Sequence, residues 1–299
     1  MPNRCRNAVN RELERTQRCL ALQPTVHGGV ILLFLAAYVG LSLLINLVVF
    51  RSTWLDPVTG STRGWIQPTL VVNAGLIVLL IAGVLGLGGR LSPRRLIGPL
   101  KQAVPAILWT CGLWGITQLV GVVVLSIQGG LTFDPSWNTY GVSWVLGGLL
   151  AQLAGNALFE EIAYRGFLLP QTHRRLSAIR RPALRIFVAV LVSQAVFALI
   201  HIPNRIYTGL PLAAYPMDLV RLLGLGALFA VIYLRTGSLL LAVGIHALLN
   251  RPTPLVDFAS SSTVLLMLTA VLLIVWPWTS GNRSGKSMSE SFITIPPRQ

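Results

Sequence analysis

Acidic residues are scarce in this 299-residue chain: nine Asp and Glu stand against 24 Lys and Arg, for a formal net charge of +15. Charged residues of both signs make up only 11% of the chain and hydrophobic residues 54%, whereas a soluble domain carries about 25% charged residues. Disordered chains are poor in apolar residues, so a chain that is disordered throughout is excluded. The low charge content also disfavours an ordinary soluble enzyme.

Cysteine is also scarce. Cys5, Cys19 and Cys111 follow neither a metal-binding nor a disulfide spacing.

The Lys and Arg residues avoid the apolar runs and cluster between them, as in the loops of a membrane protein. We therefore expect a lipid bilayer, and no nucleic acid, as the surroundings of this protein.

Long apolar runs are what the chain has in abundance. A transmembrane helix needs about 20 apolar residues, and the seventh of eight such runs is shorter than that. The runs predict an all-α integral membrane protein of about eight transmembrane helices around a polar intramembrane cavity. They lie near 28–50, 68–89, 104–127, 141–169, 183–202, 217–234, 238–250 and 262–278.

The positions of the bases predict the orientation. With eight spans, the two termini and the connecting segments on their side contain 18 Lys and Arg, and the segments on the other side contain 4. Basic loops stay in the cytoplasm. We therefore expect a multi-pass protein of the cell membrane with both termini cytoplasmic, and a cavity that opens toward the cytoplasmic side.

The chain divides into three parts. Residues 1–27 are a basic N-terminal segment on the cytoplasmic side, which we expect to form an interfacial helix on anionic lipid. Residues 28–278 are the transmembrane domain. Residues 279–299 are polar and rich in serine, and we expect this tail to be disordered.

Two adjacent carboxylates, Glu160 and Glu161, are the only acidic residues well inside an apolar run. An acid at this depth costs at least about 2.5–3.5 kcal/mol on insertion scales, so a functional site facing the protein interior is the default hypothesis. Arg165 follows Glu161 by four residues and can pair with it on one helix face. Glu160 is then left to point into a cavity as a general base. A clamp that only holds helices together is the alternative.

Two histidines also lie in apolar runs. His201 follows Phe197 by one helical turn, and His246 precedes Asn250 by one turn. His246 and Asn250 share a face and can donate two hydrogen bonds to one oxygen, as an oxyanion hole requires. Each pair by itself is as well explained by helix packing; the combination with the two carboxylates points to chemistry.

Three motifs together closely resemble the CPBP intramembrane proteases, which include the CAAX prenyl-protein endopeptidases (the Rce1 type) and bacterial Abi-type relatives. The resemblance covers about residues 140–255, which it implies are the catalytic core of the transmembrane domain. The motifs are Glu160-Glu161-x-x-x-Arg165, Phe197-x-x-x-His201 and His246-x-x-x-Asn250.

The resemblance implies an endopeptidase that hydrolyses a peptide bond of a membrane-associated protein or peptide. It implies that Glu160 activates water with His201, and that His246 and Asn250 stabilise the oxyanion. The supporting residues would be Glu161, Arg165 and Phe197. The identity of the substrate, and whether it is prenylated, stay open.

A metal is the open question about cofactors. The family has been described as metalloproteases, which makes Glu160, His201 and His246 candidate zinc ligands. No His-Glu-x-x-His motif occurs in the chain. We therefore favour a glutamate mechanism without a cofactor, with a divalent metal such as zinc as the alternative.

Two other functions remain as alternatives. One is a non-catalytic membrane scaffold or bacteriocin-immunity protein that retains the motifs. The other is a proton-coupled transporter, although the acidic pair is not repeated in the second half of the chain. One geometric difficulty concerns depth in the membrane. We expect the fourth span to leave the membrane at Pro170, about 15 Å along the helix from Glu160. His201 lies about 24 Å along its own helix from Arg185, too far for a straight helix that starts at that base to bring it to the depth of Glu160.

Overall fold

The computed structural model describes residues 23–280, together with Thr16 and Leu20. Within this part of the chain every regular element is a helix and there is no β-strand. The all-α prediction is therefore confirmed. The expected interfacial helix over 1–27 and the expected polar tail over 279–299 lie almost wholly outside the described residues.

Six helices are long and apolar enough to cross a membrane, and two shorter apolar helices follow them. Six spans are thus confirmed, and the predicted total of eight is not, because the last two helices are shorter. The six are α1 (Gly28–Arg51), α2 (Pro68–Gly88), α3 (Ala103–Ile127), α4 (Val142–Arg175), α5 (Pro182–Thr208) and α6 (Leu212–Thr236). The two shorter helices are α7 (Leu239–Asn250) and α8 (Ser261–Trp276).

The outer surface of the helices is apolar. Leu32, Leu87 and Ile127 expose 70%, 83% and 81% of their surface. Large contiguous apolar surfaces of this kind are rare in soluble monomers. They are the surface that a bilayer covers, so the protein is a multi-pass membrane protein.

The helix α4 forms the centre of the bundle. Every residue from Phe159 to Gln171 is buried, and α4 packs against α1, α2, α5 and α7. Its α-helical segment Ala157–Glu161 lies between two π-helical segments, Ala151–Asn156 and Ile162–Leu168. Such widened turns are frequent at functional sites.

The same helix continues through Pro170, where we expected it to leave the membrane. The Leu169 N–H donates to the Tyr164 carbonyl, five residues back. This altered register accompanies the missing N–H of Pro170, which would break a regular α-helix. Because α4 runs on to Arg175, Glu160 lies about 22 Å from its end.

Candidate active site

A polar cavity of about 320 Å³ lies between α1, α2, α4, α5, α6 and α7. Its walls carry amide side chains as well as the predicted catalytic groups. The polar residues that line it include Asn46, Asn73, Gln152, Asn156, Glu160, His201, Asn204, His246 and Asn250.

The structure brings three predicted site residues from three helices together. The Nε2 atom of His201 is 3.7 Å from Glu160 Oε1, and the Nε2 atom of His246 is 3.5 Å from Glu160 Oε2. Neither histidine makes a hydrogen bond to Glu160, and Oε2 of Glu160 has no hydrogen-bond partner among the described residues. Glu160 therefore presents an unsatisfied carboxylate between two imidazoles, and Asn250 lines the same cavity.

The second carboxylate, that of Glu161, lies on the side of α4 that faces the packed core. Glu161 is fully buried, and its Oε1 accepts a hydrogen bond from Arg165 Nη1 at 3.0 Å. The pairing of Glu161 with Arg165 is as the spacing predicted. Glu161 does not line the cavity, whereas Glu160 does.

Arg165 is held from several sides although it is fully buried. Its Nη2 atom donates to Gln194 Oε1 at 2.9 Å and to the Gly226 carbonyl at 2.7 Å. A Cβ at position 226 would lie only 2.7 Å from Gln194 Oε1, so glycine allows α6 to approach this closely. The guanidinium carbon also lies 5.0 Å from the centre of the Phe197 ring, a cation–π distance.

His246 connects the two carboxylates. Its Nδ1 atom is 2.7 Å from Glu161 Oε1, while its Nε2 atom faces Glu160. A carboxylate paired with Arg165 is ionised and can only accept hydrogen bonds, so Nδ1 must be the donor. The Phe229 ring stacks on the imidazole at 4.2 Å and an interplanar angle of 16°, which fixes the plane of the ring.

His201 owes its position to a break in α5. The α-helix ends at Leu199, and a new turn begins at Ile202 because Pro203 cannot continue the preceding helix. The His201 N–H donates to Ala198 at 3.2 Å. The carbonyl of Phe197 is then free to accept from His201 Nδ1 at 2.6 Å, which turns Nε2 toward Glu160.

The depths of His201 and Glu160 differ less once both helices are followed to their ends. His201 lies about 28 Å along the helix from Pro182, and Glu160 lies about 22 Å from Arg175. Both helices exceed the roughly 30 Å of a hydrocarbon core. The difficulty in the sequence analysis arose from ending α4 at Pro170.

Two amides that the sequence analysis missed support Asn250. Gln152 Oε1 accepts a hydrogen bond from Asn250 Nδ2 at 3.0 Å and from Asn156 Nδ2 at 3.4 Å. Gln152, Asn156 and Glu160 recur every four residues along α4. That polar stripe in an apolar run was a detectable signal for the cavity wall.

The metal alternative stays a prediction. Among residues 23–280, no group of three or more His, Cys, Asp or Glu side chains is placed so that it could hold a metal ion. We therefore derive no step through a metal.

The cavity opens at one particular end of the bundle. From Glu160 it extends toward the end of α1 at Phe50, the start of α2 at Thr69, the end of α5 at Asn204 and the first half of α6 at Arg221. We call this the cavity end; it contains the connecting segments 51–67, 128–141, 209–211 and 251–260.

The opposite end contains the start of α1, the connecting segments 89–102, 176–181 and 237–238, and the helix ends that adjoin them; we call it the basic end. The predicted cytoplasmic termini belong to the basic end, because α1 begins there. The predicted opening of the cavity toward the cytoplasm is therefore incompatible with the predicted cytoplasmic termini. The spacing of residues along a helix gives their depth in the membrane but does not say on which side a cavity opens.

These features define an all-helical, multi-pass membrane protein with a carboxylate, two imidazoles and an amide on one intramembrane cavity. Residues 141–251 match the family model for type II CAAX prenyl endopeptidases of the Rce1-like kind. The match covers α4 to α7 and contains all three motifs, so the resemblance to the CPBP proteases is confirmed for this part of the chain.

At the level of the family, the match supports a CAAX-type intramembrane protease that acts on a membrane-associated protein in a lipid bilayer. No curated protein and no solved structure matches the chain.

Proposed function

We propose that this protein is an intramembrane endopeptidase in which Glu160 activates the water that hydrolyses a peptide bond. The observation that carries the proposal is the meeting of the Glu160 carboxylate with the Nε2 atoms of His201 and His246 at the inner end of a polar cavity. Intramembrane ionisable residues are costly and by default functional.

The first step is the activation of water by Glu160 and His201. The Nδ1–H of His201 donates to the Phe197 carbonyl, so a neutral imidazole offers a lone pair on Nε2. The 3.7 Å gap to Glu160 Oε1 suits one water bonded to both atoms at about 2.8 Å. Glu160 takes a proton from this water as its oxygen attacks the carbonyl carbon of the substrate.

The second step is the stabilisation of the tetrahedral oxyanion. Since Nδ1 of His246 already donates to Glu161, Nε2 can donate to the oxyanion only if His246 is an imidazolium. Asn250 is one turn further along α7 and has a second amide hydrogen beside the one given to Gln152. Two donors on one helix face then reach one oxygen.

The third step returns the proton. Glu160 passes the proton it took from water to the amide nitrogen of the substrate, the C–N bond breaks, and a carboxylic acid and an amine leave. The charges of the buried cluster balance in this scheme, because two carboxylates face the Arg165 guanidinium and the His246 imidazolium. That balance limits the desolvation penalty of burying charges.

We further propose that both termini lie in the cytoplasm. The basic end, within the described residues, has ten Lys and Arg and no Asp or Glu, and bases of this kind stay on the cytoplasmic side. These bases are Arg90, Arg94, Arg95, Lys101, Arg174, Arg175, Arg180, Arg181, Arg185 and Arg235.

The test is a comparison of cleavage products in cells that express the wild-type chain or the Glu160→Gln variant. Mass spectrometry of membrane and medium peptides should reveal fragments that disappear in Glu160→Gln. Asp257→Asn, which removes an exposed carboxylate outside the site, is the matched control and should leave the fragments unchanged. Identical fragments from wild type and Glu160→Gln would contradict the assignment and favour a scaffold.

A second measurement addresses the family's substrate class. The purified chain in liposomes is incubated with a farnesylated peptide that ends in a CAAX sequence, and with the same peptide lacking the farnesyl group. Release of the last three residues from the farnesylated peptide alone would assign the prenyl-dependent activity.

A further inference from the structure

We propose that the active-site cavity opens on the extracytoplasmic side of the membrane, so that the substrate is a peptide segment presented from outside the cytoplasm. The substrate class is then an exported or outward-facing membrane-anchored polypeptide. This inference rests on the proposed function for its chemistry, but the position of the opening rests on the fold and the charges alone.

The first observation is the direction of the cavity. Every polar residue that lines it beyond Glu160 lies nearer the cavity end of its helix. Asn46 lies in the last turns of α1, Asn73 in the second turn of α2, and Asn204 near the end of α5. Polar side chains therefore line the route from Glu160 to water at the cavity end.

The second observation is the packing on the other side of Glu160. Tyr164, Phe167 and Leu169 of α4 expose 1%, 0% and 0% of their surface. Beyond them, Gln171 donates to the Pro24 carbonyl and accepts from the Val26 N–H, so the chain before α1 is fastened across α4. A peptide that approaches from the basic end meets this packed core before it meets Glu160.

The third observation is the difference in charge between the two ends. The basic end carries ten bases and no acid in the described residues. The cavity end carries five bases and four acids, so the cavity end is close to neutral. Its charged residues are Arg51, Arg63, Arg205, Arg221, Arg251, Asp56, Asp134, Asp218 and Asp257.

This difference in charge predicts the orientation of the protein in the membrane. An excess of Lys and Arg close to the ends of transmembrane segments keeps those segments in the cytoplasm, and acidic residues contribute little. The basic end is thus cytoplasmic and the cavity end is outside. Exposed aromatic side chains at the cavity end, Trp54, Trp65 and Tyr140, fit the belt that forms where a membrane meets water.

The rim of the cavity suits a hydrated peptide. Asp218 accepts hydrogen bonds from Arg205 at 2.5 Å and from Arg221 at 2.9 Å, and both arginines line the cavity. Arg205 also donates to Asn204 at 2.8 Å, which in turn donates to Asn46 at 3.0 Å. The rim therefore offers a chain of polar groups with a net positive charge.

The experiment measures the accessibility of single cysteines in intact cells that express the full chain. Thr69→Cys lies in the cavity and Thr208→Cys lies on the exposed rim. Each is labelled with a charged, membrane-impermeant thiol reagent before and after permeabilisation. The three native cysteines, Cys5, Cys19 and Cys111, are first replaced by serine.

The matched controls are Ser92→Cys and Ser177→Cys, two exposed positions at the basic end. We expect Thr69→Cys and Thr208→Cys to be labelled in intact cells to the extent seen after permeabilisation. We expect Ser92→Cys and Ser177→Cys to be labelled only after permeabilisation. The reverse pattern overturns the proposal.

The labelling is repeated in the Glu160→Gln background, so that it is independent of catalysis. If the cleavage test fails but the labelling pattern holds, the proposed function is wrong and the outward opening stands. If cleavage depends on Glu160 but only the basic end is labelled in intact cells, the function stands and the outward opening is wrong.

Discussion

Glu160 and Glu161 are neighbours in the chain, yet they occupy opposite environments. Glu160 lines a polar cavity and has one oxygen without a partner among the described residues. Glu161 is sealed in the core, where it meets Arg165 at 3.0 Å and His246 at 2.7 Å. Successive residues of a helix are rotated by about 100° around its axis. Glu160 is therefore the wet carboxylate, which faces the cavity, and Glu161 is the dry carboxylate, which faces the packed core.

The two environments give the two acids different roles in the proposed site. The dry carboxylate neutralises a buried guanidinium and orients His246, which a hydrated carboxylate cannot do as firmly. The wet carboxylate makes no hydrogen bond to Arg165 or to either histidine, and therefore stays available for a proton from water. If this division is correct, substitutions on the two sides should affect different measurements.

The largest effect is expected from Glu160→Gln. The amide keeps the volume of the side chain but cannot take a proton, so kcat should fall by about 10²–10⁴-fold, the contribution of a general base. Cleavage of a substrate identified from the cellular fragments measures this rate. The midpoint of unfolding in detergent should stay near that of the wild type; a large loss of stability would make Glu160 a structural residue like Glu161.

Arg165→Met should act on stability first. Removing one partner of a buried ion pair leaves Glu161 as an uncompensated charge and costs about 3–5 kcal/mol. Detergent unfolding followed by circular dichroism measures the loss.

The double variant Arg165→Met, Glu161→Gln is the control for that experiment. It removes both charges and should be more stable than Arg165→Met alone. If the double variant is as unstable as the single one, the guanidinium acts through its packing on Phe197 rather than through its charge.

Asn250→Ala tests the oxyanion donors on the wet side. Loss of one such donor costs about 10²–10³-fold in kcat, whereas KM should change little because the donor acts on the transition state. Steady-state kinetics separates the two constants. An effect confined to KM would place Asn250 in substrate binding instead.

The smallest effect is expected from Gln152→Ala. Gln152 touches Asn250 and not the proposed reacting atoms, so its loss removes one hydrogen bond, worth about 0.5–1.5 kcal/mol, or roughly two- to twelvefold in kcat. Gln152→Glu keeps an acceptor for the Asn250 amide and should restore part of the rate. No rescue by glutamate would mean that Gln152 does not position Asn250.

Some contacts of the site were accessible from the sequence because they are local. Glu161 and Arg165 are one helical turn apart, and the spacing predicts their pairing whether or not the helix has π turns nearby. His246 and Asn250 share a face of α7 for the same reason. Lone ionisable residues in apolar runs were conspicuous because their insertion is costly.

Other contacts were not accessible because they join distant segments. The hydrogen bond between His246 and Glu161 joins residues 85 positions apart, and nothing in either motif says which ring nitrogen faces which carboxylate. The approach of His201 to Glu160 depends on a break before Pro203 and on the continuation of α4 through Pro170. Sequence rules for proline predict an interruption at both places, and the packing decides otherwise at one of them.

The all-α membrane class and the candidate site residues could both be predicted from the sequence alone. Apolar runs and intramembrane charges have large free energies of transfer between water and lipid, and those are properties of single segments. The tertiary structure was needed to show which histidine nitrogens face Glu160 and at which end the cavity opens. Those outcomes depend on the packing of other helices around α4, and packing is a property of pairs of segments that no single segment contains.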